Sequence, residues 1–355
     1  MSDKNGDQWP QIPRGVEAVP LRLPIRTPPL RLLRRLVHPF VPYKPGIYIL
    51  TYHKIVDSAN ATEWEIAYGM GGVSLENFKR QIAYLREKMA PISLTGAFEL
   101  MARGSLDRAY FVVTFDDGYS DVLRNTGPVI ERFGIKPCMF VNGRFAQRHV
   151  YYRVLAALLT RKGHAQELRD ELASKAAGAA WSTDPQELFN QTKNFYIAGV
   201  MENAVEAVYR KCLGEPAELG VHLNPDEVRQ LQGAGWEIGN HTFDHRLLSR
   251  LGAQGIAETI SRNEAFWRSE NIPLVNALAI PNGAVRDVNE YLNGWLQEHK
   301  HVHALFCDGG VNFKYNRTQW LRFFGGDGDE LSLHEVICAE IKRMNRASKL
   351  IPLVK

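Results

Sequence analysis

Short apolar runs alternate along the chain with stretches whose apolar positions recur every three or four residues. Gly46-Ile-Tyr-Ile-Leu-Thr-Tyr-His53 is apolar and rich in β-formers, and Pro45-Gly46 opens it, which predicts a buried strand. Tyr110-Phe-Val-Val-Thr-Phe115, Cys138-Met-Phe-Val-Asn142, Trp236-Glu-Ile-Gly-Asn-His241, Ala277-Leu-Ala-Ile280 and His303-Ala-Leu-Phe-Cys307 predict further strands. Between them the period changes. Ser74 stands as an N-cap before Phe78, Ile82 and Leu85 on one helical face. Helices are expected near 119–133, 253–270, 287–300 and 331–348, and one begins at Asn224-Pro-Asp-Glu227 with a cap, an early proline and a glutamate at the third position. Strands alternating with helices mean a parallel β/α architecture, open or closed into a barrel. Residues 151–222 carry no convincing strand, are rich in Ala, Leu, Lys and Glu, and read as a helical insertion.

Composition narrows the class. Over 355 residues, 45% hydrophobic and 23% charged side chains exclude a wholly disordered chain, a coiled coil and a collagen-like fibre. No apolar run approaches the ~18 residues of a membrane span. Asp3 and Asp7 precede any apolar stretch, which speaks against a secretory signal and for a cytoplasmic protein. Cys138, Cys212, Cys307 and Cys338 form no CxxC pair and are expected as free thiols. The net charge of +4 is unevenly placed: residues 1–45 carry a net +5 and nine of the 18 prolines. This reads as a proline-rich basic arm, with no footprint for nucleic acid. Within it Leu30, Leu33 and Val37 share a helical spacing, with Arg31, Arg34 and Arg35 largely on another face. Two readings stay open: a peripheral contact with the inner membrane through residues 20–44, or a short helix docked on the parent domain.

The chemistry falls at strand ends. Thr114-Phe-Asp-Asp-Gly-Tyr119 puts Asp116 and Asp117 where a strand gives way to a turn, so that both carboxylates can face one cleft. His241-Thr-Phe-Asp-His245 places two imidazoles four residues apart after another strand. The HExxH pattern is absent, as are GxSxG and GxxxxGK[ST]. Together the two motifs offer a His₂Asp ligand set with a spare carboxylate, which suits a catalytic divalent metal with open positions.

This arrangement resembles the NodB-homology polysaccharide deacetylases, carbohydrate esterase family 4. Thr114-Phe-Asp-Asp-Gly118 matches the family's first motif, His241-Thr-x-x-His245 its second, and Gly235-Trp-Glu-Ile-Gly-Asn-His241 its usual lead-in. Ala279-Ile-Pro-Asn-Gly283 keeps only Pro281 and Gly283 of the third. The resemblance implies a distorted (β/α) barrel over residues 46–325, interrupted by the helical insertion, with 1–45 as an arm and 326–355 as a C-terminal helix. It implies that Asp116 is the general base and that Asp117, His241 and His245 hold a divalent metal, usually zinc. It implies that the Asn282 backbone N–H stabilises the oxyanion. The general acid is expected at His53, as in the permuted subgroup that deacetylates poly-N-acetylglucosamine through an N-terminal Tyr-His, with His334 as the alternative. The arginine that usually orients the base falls on Ala279, so another group must hold Asp116, and Asp308 could orient the acid. The implied activity is removal of N-acetyl groups from an amino-sugar glycan or a lipid-linked sugar, in cell-surface polysaccharide biosynthesis. A non-sugar amidase or deformylase on the same fold, and an idle glycan-binding relative, remain as alternatives.

Overall fold

The computed structural model describes residues 43–347 except 105, 176–179, 195–198, 285–287 and 317–318; the basic arm therefore lies outside the described residues. Seven parallel strands follow one another round a closed barrel: β1 (Gly46–Tyr52), β2 (Ala109–Phe115), β3 (Cys138–Val141), β4 (Glu237–Asn240), β5 (Ala277–Ala279), β6 (His303–Phe306) and β7 (Trp320–Phe324), with β7 closing on β1. This is the distorted (β/α) barrel that the resemblance implies, and it decides for the closed form between the two that the alternation left open. Ala90–Pro91 adds a short pairing at the start of β2, on the edge that β3 occupies further along.

The period-2 geometry of the strands sorts their side chains into two sets. Ile47, Ile49, Val112, Phe140, Leu305 and Trp320 belong to one cluster that fills the barrel. Helix Leu94–Ala102 joins it through Leu94, Ala97, Phe98 and Met101, and reaches the strand starts where Phe98 stacks on His303 and meets Trp320 edge-on. That helix therefore plugs the N-terminal end. The alternate residues Tyr48, Leu50, Phe111, Val113 and Phe323 face outward, against helices Leu75–Lys88, Ser120–Phe133 and Glu330–Ala347. Each fully buried aliphatic or aromatic side chain here contributes roughly 1.5–3 kcal/mol. Ser74 and Asn224 cap their helices as expected, each accepting from the backbone N–H three residues on.

The insertion is helical. Tyr152–Arg161, Ala165–Lys175, Pro185–Asn194 and Val200–Leu213 pack around their own core of Leu155, Leu159, Leu168, Leu172, Leu188 and Val205, which also takes in Tyr119 just after β2. The insertion is thus anchored beside the turn that carries Asp116 and Asp117. Among the described residues no helix is long and apolar enough to cross a membrane.

Candidate active site

Strand register brings the motifs level. Tyr52 pairs with Phe115, so the next residues, His53 and Asp116, leave adjacent strands at the same C-terminal height. The backbone then turns sharply. Asp117 and Gly118 are both left-handed, at φ 69° and 62°. Aspartate tolerates that region better than most side chains and glycine enters it freely. The turn lets two consecutive carboxylates face one cleft, which an extended strand would forbid. It is tied at each step: the Asp116 N–H donates to the Tyr52 carbonyl at 2.9 Å, the Leu223 N–H to the Gly118 carbonyl at 2.8 Å, and the Ser120 N–H to the Val221 carbonyl at 2.9 Å.

His241 and His245 follow β4 in a loop, not on a helical turn. Thr242 and His245 are left-handed at φ 63° and 56°, a costly state for a β-branched threonine. Such strain, of order 1–3 kcal/mol per residue, persists only where the surroundings over-determine it. At Thr242 three buried asparagines do so. Asn142 donates to the carbonyls of His241 and Thr242 at 2.5 and 2.9 Å, and the Asn240 carboxamide oxygen accepts from the Thr242 N–H at 2.8 Å. Asn263 donates to that same Asn240 oxygen at 2.8 Å and to the Val141 carbonyl.

The ligand atoms converge. Asp117 Oδ1 lies 3.2 Å from Nε2 of His241 and 3.2 Å from Nε2 of His245, yet makes no hydrogen bond. His241 Nδ1–H donates to the Ala279 carbonyl at 2.8 Å, which leaves its Nε2 lone pair facing the carboxylate. Burial pushes His245 down to about 4. Burial works the same way on His241, but Asp116 and Asp117 outweigh it and hold that imidazole above its ordinary value. Burial raises Asp117, and His245, His241 and His53 outweigh it to keep the carboxylate far below the usual range. A buried, unpartnered oxygen among imidazole lone pairs fits a divalent cation, and the N, N, O donor set suits zinc.

Asp116 is held from below. Arg322 of β7 is fully buried inside the barrel and donates to both Asp116 oxygens, at 2.7 and 2.8 Å. Its guanidinium sits 5.5 Å over the Phe140 ring. Phe140 reaches the barrel interior because its cross-strand partner is Gly239, where a Cβ would come within 2.4 Å of the ring. Burial acts to raise Asp116; Arg322 and then His241 overcome it and hold the carboxyl below its ordinary value.

His53 is half-buried, with its ring centroid 5.4 Å from that of Phe324 and its Nδ1 buried without a hydrogen-bond partner. It acts electrostatically on Asp116, Asp117 and His245. Asn282 is exposed, left-handed at φ 59°, in the turn just after β5. His334 stands elsewhere: it is buried in helix Glu330–Ala347 on the outer face of the barrel, with Nδ1 against the hydroxyls of Tyr43 and Tyr84 at 2.7 and 2.6 Å and Nε2 against Cys338 Sγ at 3.1 Å. The Asp308 carbonyl accepts from Arg343 of the same helix.

A family description, polysaccharide deacetylase, matches residues 103–295, more than half of the chain. The chain belongs to the polysaccharide deacetylase family. Family membership supports carbohydrate deacetylation as its activity. Both His53, just after the first strand, and Arg322, in the last, lie outside the matched stretch, at strands that complete this deacetylase's barrel. No curated protein sequence matches the chain. Among solved structures the deacetylase PplD of Streptococcus pyogenes, in complex with acetate, superposes with a TM-score of 0.53 at 14% identity, over 83% of this chain and 99% of that one. IcaB from Ammonifex degensii superposes at 0.52 and 16% identity, over 84% and 97%. A de-N-acetylase from Aggregatibacter actinomycetemcomitans gives 0.53 and 14%, over 82% and 99%. At these identities the likeness is one of fold.

Three groups of this deacetylase's site escape a reading by motif. Arg322 lies in Trp320-Leu-Arg-Phe-Phe324, an apolar run with one cation, and a lone charge in a strand of this kind is the signal that was available. Asn142 acts through backbone groups, Asn263 through backbone groups and the Asn240 side chain, and neither carries a spacing signature. His222 looks unremarkable in sequence and lies, partly buried, against the Asp117 backbone.

Proposed function

We propose that the deacetylase is a metal-dependent hydrolase that removes N-acetyl groups from an amino-sugar glycan or a lipid-linked amino sugar. One observation carries this reading: the ligand atoms of Asp117, His241 and His245 converge while a second carboxylate, Asp116, is kept ionised beside them by Arg322. A divalent ion bound by those three residues, zinc by the chemistry of the donor set, would polarise an acyl carbonyl and acidify a water. The remaining work belongs to the chain. Asp116 takes the proton of the attacking water on a carboxylate oxygen that Arg322 orients. The Asn282 backbone N–H faces the developing oxyanion. His53, level with Asp116 on the neighbouring strand, gives a proton to the departing amine, so that acetate and a free amino sugar leave.

Acetate release from N-acetylglucosamine oligomers and from a lipid-linked N-acetylated sugar, with and without chelator, tests the activity and ranks the two substrate classes. Chelator-insensitive release would refute metal dependence, and release from neither class would refute the substrate.

We further propose, from sequence, that residues 20–44 bring the enzyme to the cytoplasmic face of the inner membrane, in keeping with a role in cell-surface polysaccharide biosynthesis. Six Lys/Arg and no acid fall in that stretch. Each is worth ~1 kcal/mol near an anionic surface. Full-length protein should float with anionic vesicles, float less in high salt, and lose this when residues 1–44 are removed. Flotation unchanged by truncation would reject the anchor.

A further inference from the structure

His222 sits between two parts of the molecule that the motifs do not connect. Its ring is sandwiched between Tyr119, at 4.9 Å between centroids, and Phe145, at 4.4 Å, both nearly parallel to it. Packing alone would accept a phenylalanine there. The two ring nitrogens do something else. The Tyr151 backbone N–H donates to Nε2 at 3.2 Å. Nε2 must therefore be the unprotonated nitrogen, and Nδ1 carries the hydrogen. That Nδ1–H faces the Asp117 backbone carbonyl at 3.0 Å. The carbonyl belongs to the left-handed residue of the catalytic turn, whose side chain is one of the three candidate ligands. Tyr151 is the N-cap of the first helix of the insertion and lays its ring 5.1 Å from that of His245.

We propose that His222 is a positioning residue of the metal centre: its Nδ1–H holds the Asp117 carbonyl, and with it the angle of the carboxylate, while Tyr151 of the insertion fixes the tautomer that makes this bond possible. The inference rests on the metal-site reading above and adds a part for the helical insertion, whose first residue sets the proton position on His222. Groups that orient ligands from behind commonly change metal affinity by about 10–100-fold when removed.

Two substitutions separate packing from hydrogen bonding. His222→Phe keeps the sandwich and removes both bonds. His222→Asn gives up the sandwich, but its amide nitrogen occupies the place of Nδ1 and can still donate to Asp117. Zinc affinity of the full-length chain, measured by competition with a chromophoric chelator, should fall about 10–100-fold in His222→Phe and stay near wild type in His222→Asn, although the asparagine variant melts lower. Equal affinities in both variants, or a loss that follows melting temperature instead of the donor, would overturn the proposal. Nitrogen shifts of His222 in the metal-free protein supply an independent check: the Nδ1–H tautomer is expected, and the Nε2–H tautomer would overturn it. These outcomes part from those of the proposed function. A chain that shows this pattern and releases no acetate from sugars keeps the inference and loses the substrate, whereas an active chain indifferent to both substitutions does the reverse.

Discussion

Arg322 and Asp116 meet through two parallel hydrogen bonds of 2.7 and 2.8 Å with both side chains sealed from solvent. The pair joins the last strand of the barrel to the end of the second, so the strand that closes the barrel also supplies the cation that holds the candidate base ionised. Removing one partner of a buried pair leaves an uncompensated charge, at ~3–5 kcal/mol.

The pair sets a pH signature. Asp116 is held below its ordinary value of 3.8 in the folded state, so the native chain binds fewer protons there than the unfolded one. Its contribution to stability is present above that ordinary value and is lost as pH falls through the folded pKa. In Arg322→Met, burial acts with its strongest opponent gone and the Asp116 pKa should rise above 3.8. The contribution then reverses sign: stability should decline as pH climbs from the unfolded value towards the new folded one. Urea denaturation across pH 4–7 should show that difference in slope between variant and wild type. Where a less disruptive change is needed, Arg322→Lys keeps a cation without the two-pronged geometry, and the acid limb of kcat/KM should move to higher pH. An unmoved limb would mean that Arg322 does not govern Asp116.

Asp116→Asn should leave metal content intact and lower turnover by about 10²–10⁴-fold, the scale of general-base catalysis. Metal content by elemental analysis and single-turnover acetate release decide this. Loss of metal with activity would exchange the roles of Asp116 and Asp117.

What the sequence disclosed and what it withheld divide along physical lines. The strands were legible where a run was apolar and bounded, as at Gly46 and Tyr110, because burial on both faces leaves no polar alternation to confuse. The closing strand Trp320–Phe324 was not anticipated, since Arg322 interrupts its apolar run, and that same arginine replaces the one missing at Ala279. Asp116, Asp117, His241 and His245 stood out because ligand chemistry constrains residue type and spacing. The groups that hold them do not: Asn142, Asn240, Asn263 and His222 bond to backbone and to one another across distances in sequence of up to 122 residues. Only the closed barrel brings them together.

Purified protein should carry metal that His241→Ala and His245→Ala each lose. One complication is concrete: His164, Glu167 and Cys212 of the insertion also place three ligand atoms within 4.8 Å of one another. Elemental analysis should therefore be run on the wild type, on the His241→Ala/His245→Ala double variant and on Cys212→Ser. Loss of metal in the double variant with retention in Cys212→Ser assigns the ion to the barrel. Retention in the double variant would remove it from Asp117, His241 and His245.

His53 and His334 make opposite predictions. His53 leaves β1 at the height of Asp116, with a buried Nδ1 that has no hydrogen-bond partner, which is where a proton donor to the leaving amine is wanted. His334 has both ring nitrogens engaged, by Tyr43 and Tyr84 on one side and Cys338 on the other, and lies on the outer face. His53→Ala should therefore lower turnover with metal content unchanged. The deficit should shrink for a substrate whose leaving group departs without protonation, such as an activated ester, because only the amine needs the acid. His334→Ala removes partly buried hydrogen bonds that each contribute roughly 0.5–1.5 kcal/mol, so it should lower the melting temperature and leave kcat almost unchanged. If the activated ester is hydrolysed no better than the amide relative to wild type, His53 acts on binding and not on the leaving group. If His334→Ala abolishes turnover while the protein stays folded, the donor is not at the end of the first strand.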